Sequence, residues 1–292
     1  MVVSVETRIL LLLTAGLGTG GKIGPPLDAS GFDQVTAWLK RTRLKPADLL
    51  EPDLLERLSW APPPPVPLDR LVALLRRAPL LDEALNRWAG SGLWVIGRGD
   101  PDYPRRMKRR LRAAAPPLLF GAGDRLLLNR GGIALVGGAT DAEPVGYAAR
   151  FAARAAAVGL ATLSGTGNAV EEAALLGSLS RGGIAVAVLP DGLEREVAGG
   201  RLRGMAGDGQ LAFVSSAEPE SGFDGARGRA GAMRCLYGLS DAALLVALGR
   251  DNDRWVDAVE AIEADWVPHW VRAGDAEAGS LIRLGARIVP DD

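Results

Sequence analysis

Ile133-Ala134-Leu135-Val136-Gly137-Gly138-Ala139-Thr140 decides the fold: four apolar residues, a glycine-rich turn, then a long amphipathic stretch over Val145–Val158. An apolar run this short, closed by glycines, reads as a strand buried on both faces, and the stretch after it carries helical spacing. The unit repeats at once, with strand Ala161–Leu163, turn Ser164-Gly165-Thr166-Gly167-Asn168, helix Ala169–Leu179 and strand Ile184–Leu189. Toward the C-terminus, Gln210–Val214 and Ala243–Leu248 read as strands, Trp255–Ala264 as a helix and Val267–Val271 as a strand. A helical turn at Leu281–Leu284 and a closing strand, Arg287–Val289, complete the series. Toward the N-terminus, Leu93–Ile96 and Pro116–Phe120 are further short apolar runs. Strands alternating with helices predict a Rossmann-like α/β fold, a mostly parallel sheet flanked by helices.

The first part of the chain differs. Glu6–Leu13, Phe32–Arg43 and Ala47–Trp60 carry helix-spaced apolar residues, and Pro62–Pro65 with Pro67 cannot continue a helix. The expected division is a small helical domain over residues 1–66, ending in this proline-rich linker, and a second domain over 67–292 with its core at about 131–292. Within the second, Leu68–Arg77 and Leu81–Ala89 read as two helices broken at Pro79.

With 292 residues, 48% hydrophobic and 24% charged, the chain has the composition of a folded protein. No apolar run approaches the ~20 residues of a membrane helix, and Ile9–Leu13 is followed by no small-residue cleavage site, so neither a membrane span nor a signal peptide is expected. One cysteine, Cys235, and one histidine, His269, leave no material for an internal disulfide or a histidine-based metal site, and a cytoplasmic protein without cofactor or metal is the expectation. The net charge of −1 is unevenly spread. Residues 1–130 hold 20 basic and 13 acidic side chains, whereas residues 131–292 hold 14 and 22.

Ligands of open parallel sheets bind at the carboxyl ends of the strands. That singles out three loops, Gly137–Gly146, Ser164–Ala169 and Pro190–Gly192, and the segment before Ser240. Gly137, Gly138 and Thr140, with Ser164, Gly165, Thr166 and Gly167, put small residues where backbone N–H groups can approach a phosphate; two ordinary tight turns also need glycine. Glu171 is a candidate polar ligand contact, a general acid or base, or a helix-terminal carboxylate. Arg105, Arg106, Lys108, Arg109, Arg110 and Arg112 place six cations in eight residues, either a solvated helix face or a phosphate-tracking patch. Gly16–Lys22 has P-loop spacing, but Ile23 replaces the magnesium-binding hydroxyl and Gly24-Pro25-Pro26 follows, which argues against nucleotide hydrolysis there.

The order of these segments resembles the DNA-processing protein A (DprA/Smf) family, within the Rossmann-like SLOG superfamily. Gly99-Asp100-Pro101-Asp102-Tyr103-Pro104 is similar to its D-x-x-Y-P segment, and Pro116–Phe120 with Gly123-Asp124 to its P-P-x-L segment. Ile133–Gly137, Leu163-Ser164-Gly165, Gly182–Leu189, Gly238-Leu239-Ser240-Asp241 and Leu281-Ile282 with Gly285-Ala286 follow in the family's order. Gly138-Ala139 stands where the family continues with S-R, Glu171 where it has Asp, and Arg234 is the one arginine kept of an R-N-R segment, with Arg227 and Arg229 nearby.

The resemblance implies a non-enzymatic protein that binds single-stranded DNA in DNA uptake or recombination, natural transformation included. It also implies transfer of that DNA to a RecA-type recombinase, and a homodimer. Its implied phosphate contacts are the Gly137 and Ser164 loops, Arg234 and Arg254, with Arg105, Arg106, Lys108 and Arg109 extending the track. The alternative is a SLOG-like sensor or hydrolase of a nucleotide derivative, suited by the acidic sheet domain and by Glu171 beside a glycine loop. A third reading is a protein-interaction scaffold that has lost its ligand.

Overall fold

A computed structural model describes the chain except residues 18–24, 52, 54–55, 57–61, 200–201, 203–206, 208, 221–224 and 290–292. Most of the P-loop-like segment and half of the helix expected at Ala47–Trp60 therefore lie outside the described residues, and the start of that helix is a 3-10 turn. The chain divides into two units, Met1–Tyr103 and Pro104–Asp292.

In the first unit, α1 (Val5–Thr14) starts at Ser4, whose hydroxyl accepts from the Thr7 N–H at 3.1 Å. It buries Ile9, Leu11, Leu12 and Leu13. Helix α2 (Ala29–Thr42) is capped by Asp28, and Trp38 on it donates its indole N–H to the Pro62 carbonyl at 2.8 Å, so the proline run is pinned rather than loose. A 3-10 turn (Pro46–Leu50), α3 (Leu68–Leu75), α4 (Ala78–Gly90) and strand β1 (Leu93–Gly97) complete the unit. Pro79 sits in the first turn of α4. There its missing N–H has no intrahelical partner to lose, so it starts the helix instead of breaking one. Asp100 accepts from Ser4 Oγ (2.5 Å), Thr7 Oγ1 (2.8 Å) and the Gly97 N–H (2.7 Å), joining the start of α1 to the end of β1.

The second unit opens with α5 (Arg105–Leu111) and β2 (Leu118–Gly123). The βα series follows: β3 (Ile133–Gly137), α6 (Ala142–Ala157), β4 (Thr162–Ser164), α7 (Ala169–Leu179), β5 (Ala185–Leu189), α8 (Leu193–Gly199), β6 (Leu211–Ser215) and α9 (Gly225–Leu239). Strand β7 (Ala242–Val246), α10 (Asp253–Glu263), β8 (His269–Arg272), α11 (Ala278–Leu284) and β9 (Arg287–Val289) end it. Its strands lie in the order β2-β6-β5-β4-β3-β7-β8-β9. All these pairs are parallel except β2 with β6. Strands β3 to β7 are buried almost throughout and mostly apolar, with Thr162, Ser164 and Ser215 as their buried polar side chains, as burial on both faces favours.

The order reverses between β3 and β7. From β3 the chain steps through β4, β5 and β6 in one direction; from β7 it steps through β8 and β9 in the other. Right-handed crossovers then put α6, α7 and α8 on one face and α9, α10 and α11 on the opposite one. The splayed carboxyl ends of β3 and β7 form the crevice where such sheets bind ligands.

Candidate nucleic-acid interface

Three loops meet at this crevice, following β3, β4 and β7. Two asparagines organise them. Asn168 caps α7 by accepting from the Glu171 N–H (3.1 Å) and donates its amide to the Gly137 carbonyl (2.9 Å). Asn252 caps α10 by accepting from the Arg254 N–H (2.9 Å) and donates to the Gly138 carbonyl (3.2 Å). Each short polar side chain satisfies an orphan donor of its helix and ties that helix start to the β3 loop. Ala247 takes a left-handed conformation (φ 48°) at the end of β7, and its N–H donates to Asp275 at 2.6 Å.

The loop after β4 has an anion of its own. Glu171, with 0% of its surface exposed, accepts the Gly167 N–H at 3.2 Å and receives both Nε and Nη2 of Arg254, the latter at 2.9 Å. Burial, the largest single effect, lowers the Arg254 guanidinium; the hydrogen bonds and charge of Glu171, with the charges of Asp257 and Tyr237, together outweigh it and leave the pKa raised. A Cβ at Gly165 would stand 2.4 Å from a Glu171 oxygen, so only glycine lets the loop pass over the carboxylate. The fork geometry suits a desolvated pair, although such a pair holds an arrangement in place more than it adds stability. Beneath it, Arg229 bridges Asp253 (2.8 Å) and Asp257 (3.3 Å). Burial raises the Asp257 carboxyl, with Arg229 pulling the other way. The Tyr237 hydroxyl, fully buried and without a hydrogen-bond partner, is raised by burial and by the nearby Asp257 and Glu171 carboxylates.

The remaining expected contacts distribute unevenly. Gly137 and Gly165 are buried, Gly138 and Thr166 half-buried, and Thr140 and Gly167 exposed at the rim. Ser164 is buried, and its hydroxyl donates to the Leu135 carbonyl at 2.6 Å, which makes it a strand-to-strand link. Arg234 lies well along α9 with 40% of its side chain exposed, 3.8 Å from Glu260. The Arg227 side chain lies outside the described ones. The sequence reading passed over Arg250, an exposed rim cation that contacts Glu277 (3.0 Å) and Ser280 (2.7 Å) and lies 5.5 Å from the Trp255 ring centre. Its signal was the position itself, on the loop after a strand.

The basic helix α5 sits at the other end of the strands. Arg106 donates to the Leu239 carbonyl (3.0 Å) and pairs with Asp241 (3.1 Å), and Arg110 donates to the Ser240 carbonyl. Asp241 also accepts the Gly132 N–H at 2.9 Å. Burial, and then Arg106, lowers the Arg110 guanidinium. Arg106 and Arg110 thus clamp α5 to the amino ends of β3 and β7, while Arg105, Lys108, Arg109 and Arg112 face outward. Four strand rises, roughly 13 Å, separate this end of β3 from Gly137.

Among the described residues no group of three or more His, Cys, Asp or Glu side chains is placed to hold a metal ion. No helix among them is long and apolar enough to cross a membrane. His269 is buried in β8, with its ring centre 5.2 Å from that of Tyr237.

A family profile, DNA recombination-mediator protein A, matches residues 94–289. No curated protein sequence matches the chain. The fold is similar to the X-ray structure of DNA processing protein A from Streptococcus pneumoniae, with a TM-score of 0.70 and 17% identity over 99% of this chain and 95% of that one. It is also similar to DNA processing protein A from Helicobacter pylori, studied for its single-stranded-DNA binding mode, with a TM-score of 0.55 and 16% identity over 67% of this chain and 90% of that one. On the strength of the profile match, which spans β1 to β9, the chain belongs to the DNA recombination-mediator protein A family.

Proposed function

We propose that this protein binds single-stranded DNA along the carboxyl rim of its sheet and acts in DNA processing and recombination. The observation that carries the reading is the crevice between β3 and β7. Its loops are tied in place by Asn168 and Asn252 and leave Thr140 and Arg250 exposed and Gly138 and Thr166 half-buried, in a chain of this family. Phosphates would meet peptide N–H groups of the β3 loop and the two threonines, with Arg250 supplying charge. The exposed side of α5, with Arg105, Lys108 and Arg109, forms a second electrostatic contact at the amino ends. Arg254 contributes by holding Glu171 and the β4 loop in place, since its guanidinium is already committed. Further parts of the same proposal are delivery of the strand to a RecA-type recombinase, assembly as a homodimer and a cytoplasmic setting.

A seat for the single phosphate of a small nucleotide is not favoured. The Gly167 N–H and Arg254 that would form it serve Glu171 instead.

Fluorescence anisotropy of a labelled oligonucleotide over a salt series tests the reading. Affinity should fall with salt by about 0.7 log units per log unit for each phosphate contacted. Arg250→Glu should weaken binding and reduce that slope by about one contact, and Arg105→Glu/Arg109→Glu by about two. Binding that is absent at low salt refutes the proposal; binding indifferent to Arg250→Glu moves the contact away from the rim.

A further inference from the structure

Parallel strands are ordinarily covered by helices on both faces, and here one face stops short. Helix α6 packs its Ala148 and Ala152 onto Leu135, Leu244 and Val246, and beyond it Trp270 and Val289 remain half-buried. Among the described residues, α10 and α11 follow β7 and β8 on the opposite face. The uncovered strip is a groove of about 680 Å³ running beside α6, continuous with an apolar hollow of about 260 Å³ over Ala242, Leu244 and Trp270. Ile133, Phe151 and Val289 line both.

The walls carry charge of one predominant sign. Arg150 and Arg154 stand exposed along α6, and Arg272 rises from β8 to lie 4.6 Å from the Tyr147 ring centre. Arg287 lies 5.6 Å from the Trp270 ring centre at the edge. The one acidic side chain in the lining, Glu143, is paired with Arg272. Among the described residues, then, no helix covers Trp270 and Val289 on this face of the sheet, and the rim is cationic.

We propose that this groove docks an amphipathic helix of a partner protein, apolar on the side facing Phe151 and Trp270 and acidic along its flanks. A helix is the element that covers parallel strands in this architecture, since it satisfies its own backbone and needs only an apolar stripe against the sheet. With Arg272 engaged by Glu143, the exposed Arg150, Arg154 and Arg287 select for acidic flanks and against a basic helix. The site is separate from the carboxyl-rim crevice and does not depend on DNA binding there.

The test uses the full chain and a display library of amphipathic helical peptides about four turns long. Selected peptides should be acidic, with apolar residues at i, i+3 or i+4, and i+7, and their affinity should fall with salt. Phe151→Ala should weaken them by about tenfold or more, the scale of losing one apolar anchor. Arg150→Glu changes one exposed side chain and should also weaken them with the melting temperature unchanged, which keeps the test valid if the Phe151 variant folds poorly. Failure to select any peptide, or selected peptides indifferent to both variants, overturns the proposal. Two other results also overturn it: a dimer in sedimentation that the arginine reversal dissociates, which assigns the groove to a second copy, and oligonucleotide affinity lost with the same reversal while Arg250→Glu has no effect, which assigns it to nucleic acid.

Discussion

Removing Arg254 exposes the energetics of the crevice. Glu171 is fully buried, and only 14% of the Arg254 side chain is exposed, so solvent screens the pair little. In Arg254→Ala the carboxylate keeps the Gly167 N–H and loses both guanidinium contacts. An uncompensated buried charge of this kind costs about 3–5 kcal/mol. For a unit of this size, each kcal/mol lowers the melting temperature by about 2–4 °C, so a fall of roughly 6–20 °C is expected. The double variant Glu171→Leu/Arg254→Leu removes both charges and should recover most of the loss, because the desolvation cost disappears with them. Calorimetry and urea titration of the parent, the single variant and the double variant at pH 7 measure both the loss and the recovery. A single variant within about 1 kcal/mol of the parent at pH 7, or a double variant as unstable as the single, would refute the view that the β4 loop is built around its own carboxylate.

Three other outcomes are expected. Burial lowers His269 to about 4, below the ~6.5 of the unfolded chain, so the unfolded state takes up the proton first. Stability should then be lost as the pH falls from about 6.5 to 4, by on the order of 3 kcal/mol from this group, and His269→Asn should flatten the slope in chemical denaturation. Asp241→Ala removes the partner of Arg106 and the acceptor of the Gly132 N–H; with Asp241 half exposed, a loss of about 1–2 kcal/mol is expected in the same assay. The Cys235 thiol, pushed up to about 12 chiefly by burial, should resist alkylation at pH 8 in the folded protein and react once urea unfolds it; rapid labelling of the native chain would contradict its place in the core.

Helices whose apolar spacing and caps agree were legible from the residues. Ala169–Leu179 is observed as expected because Asn168 stands where a cap must and apolar residues recur behind it. Strands β3 and β5 stand out because full burial demands unbroken apolar runs. Helix α9 was not legible: Gly225–Leu239 is rich in Gly, Arg and Ala, and no stripe announces it until Leu236 and Leu239 pack under the sheet. Helix α5 read as a run of charge because its two buried anchors, Met107 and Leu111, sit among six cations. The loops beginning at Gly137 and Ser164 follow β3 and β4, as the apolar runs before them foretell, yet the state of their side chains was not legible. Ser164 carried the expectation of a phosphate contact, and its hydroxyl is spent on the neighbouring strand.

What the sequence determined by itself was the alternation of buried strands and helices, the glycine loops between them and the family to which that order belongs. Those features are written in local periodicity and in turn chemistry, and each needs only a few neighbouring residues to be read. The tertiary structure alone decided that Arg254 would meet Glu171, 83 residues earlier, and that the basic helix would be clamped at the amino ends of the strands through Asp241. Among the described residues it also left Trp270 of β8 and Val289 of β9 half-buried on one face. Charge pairing and face coverage depend on which strands become neighbours, and that is set by packing the whole sheet.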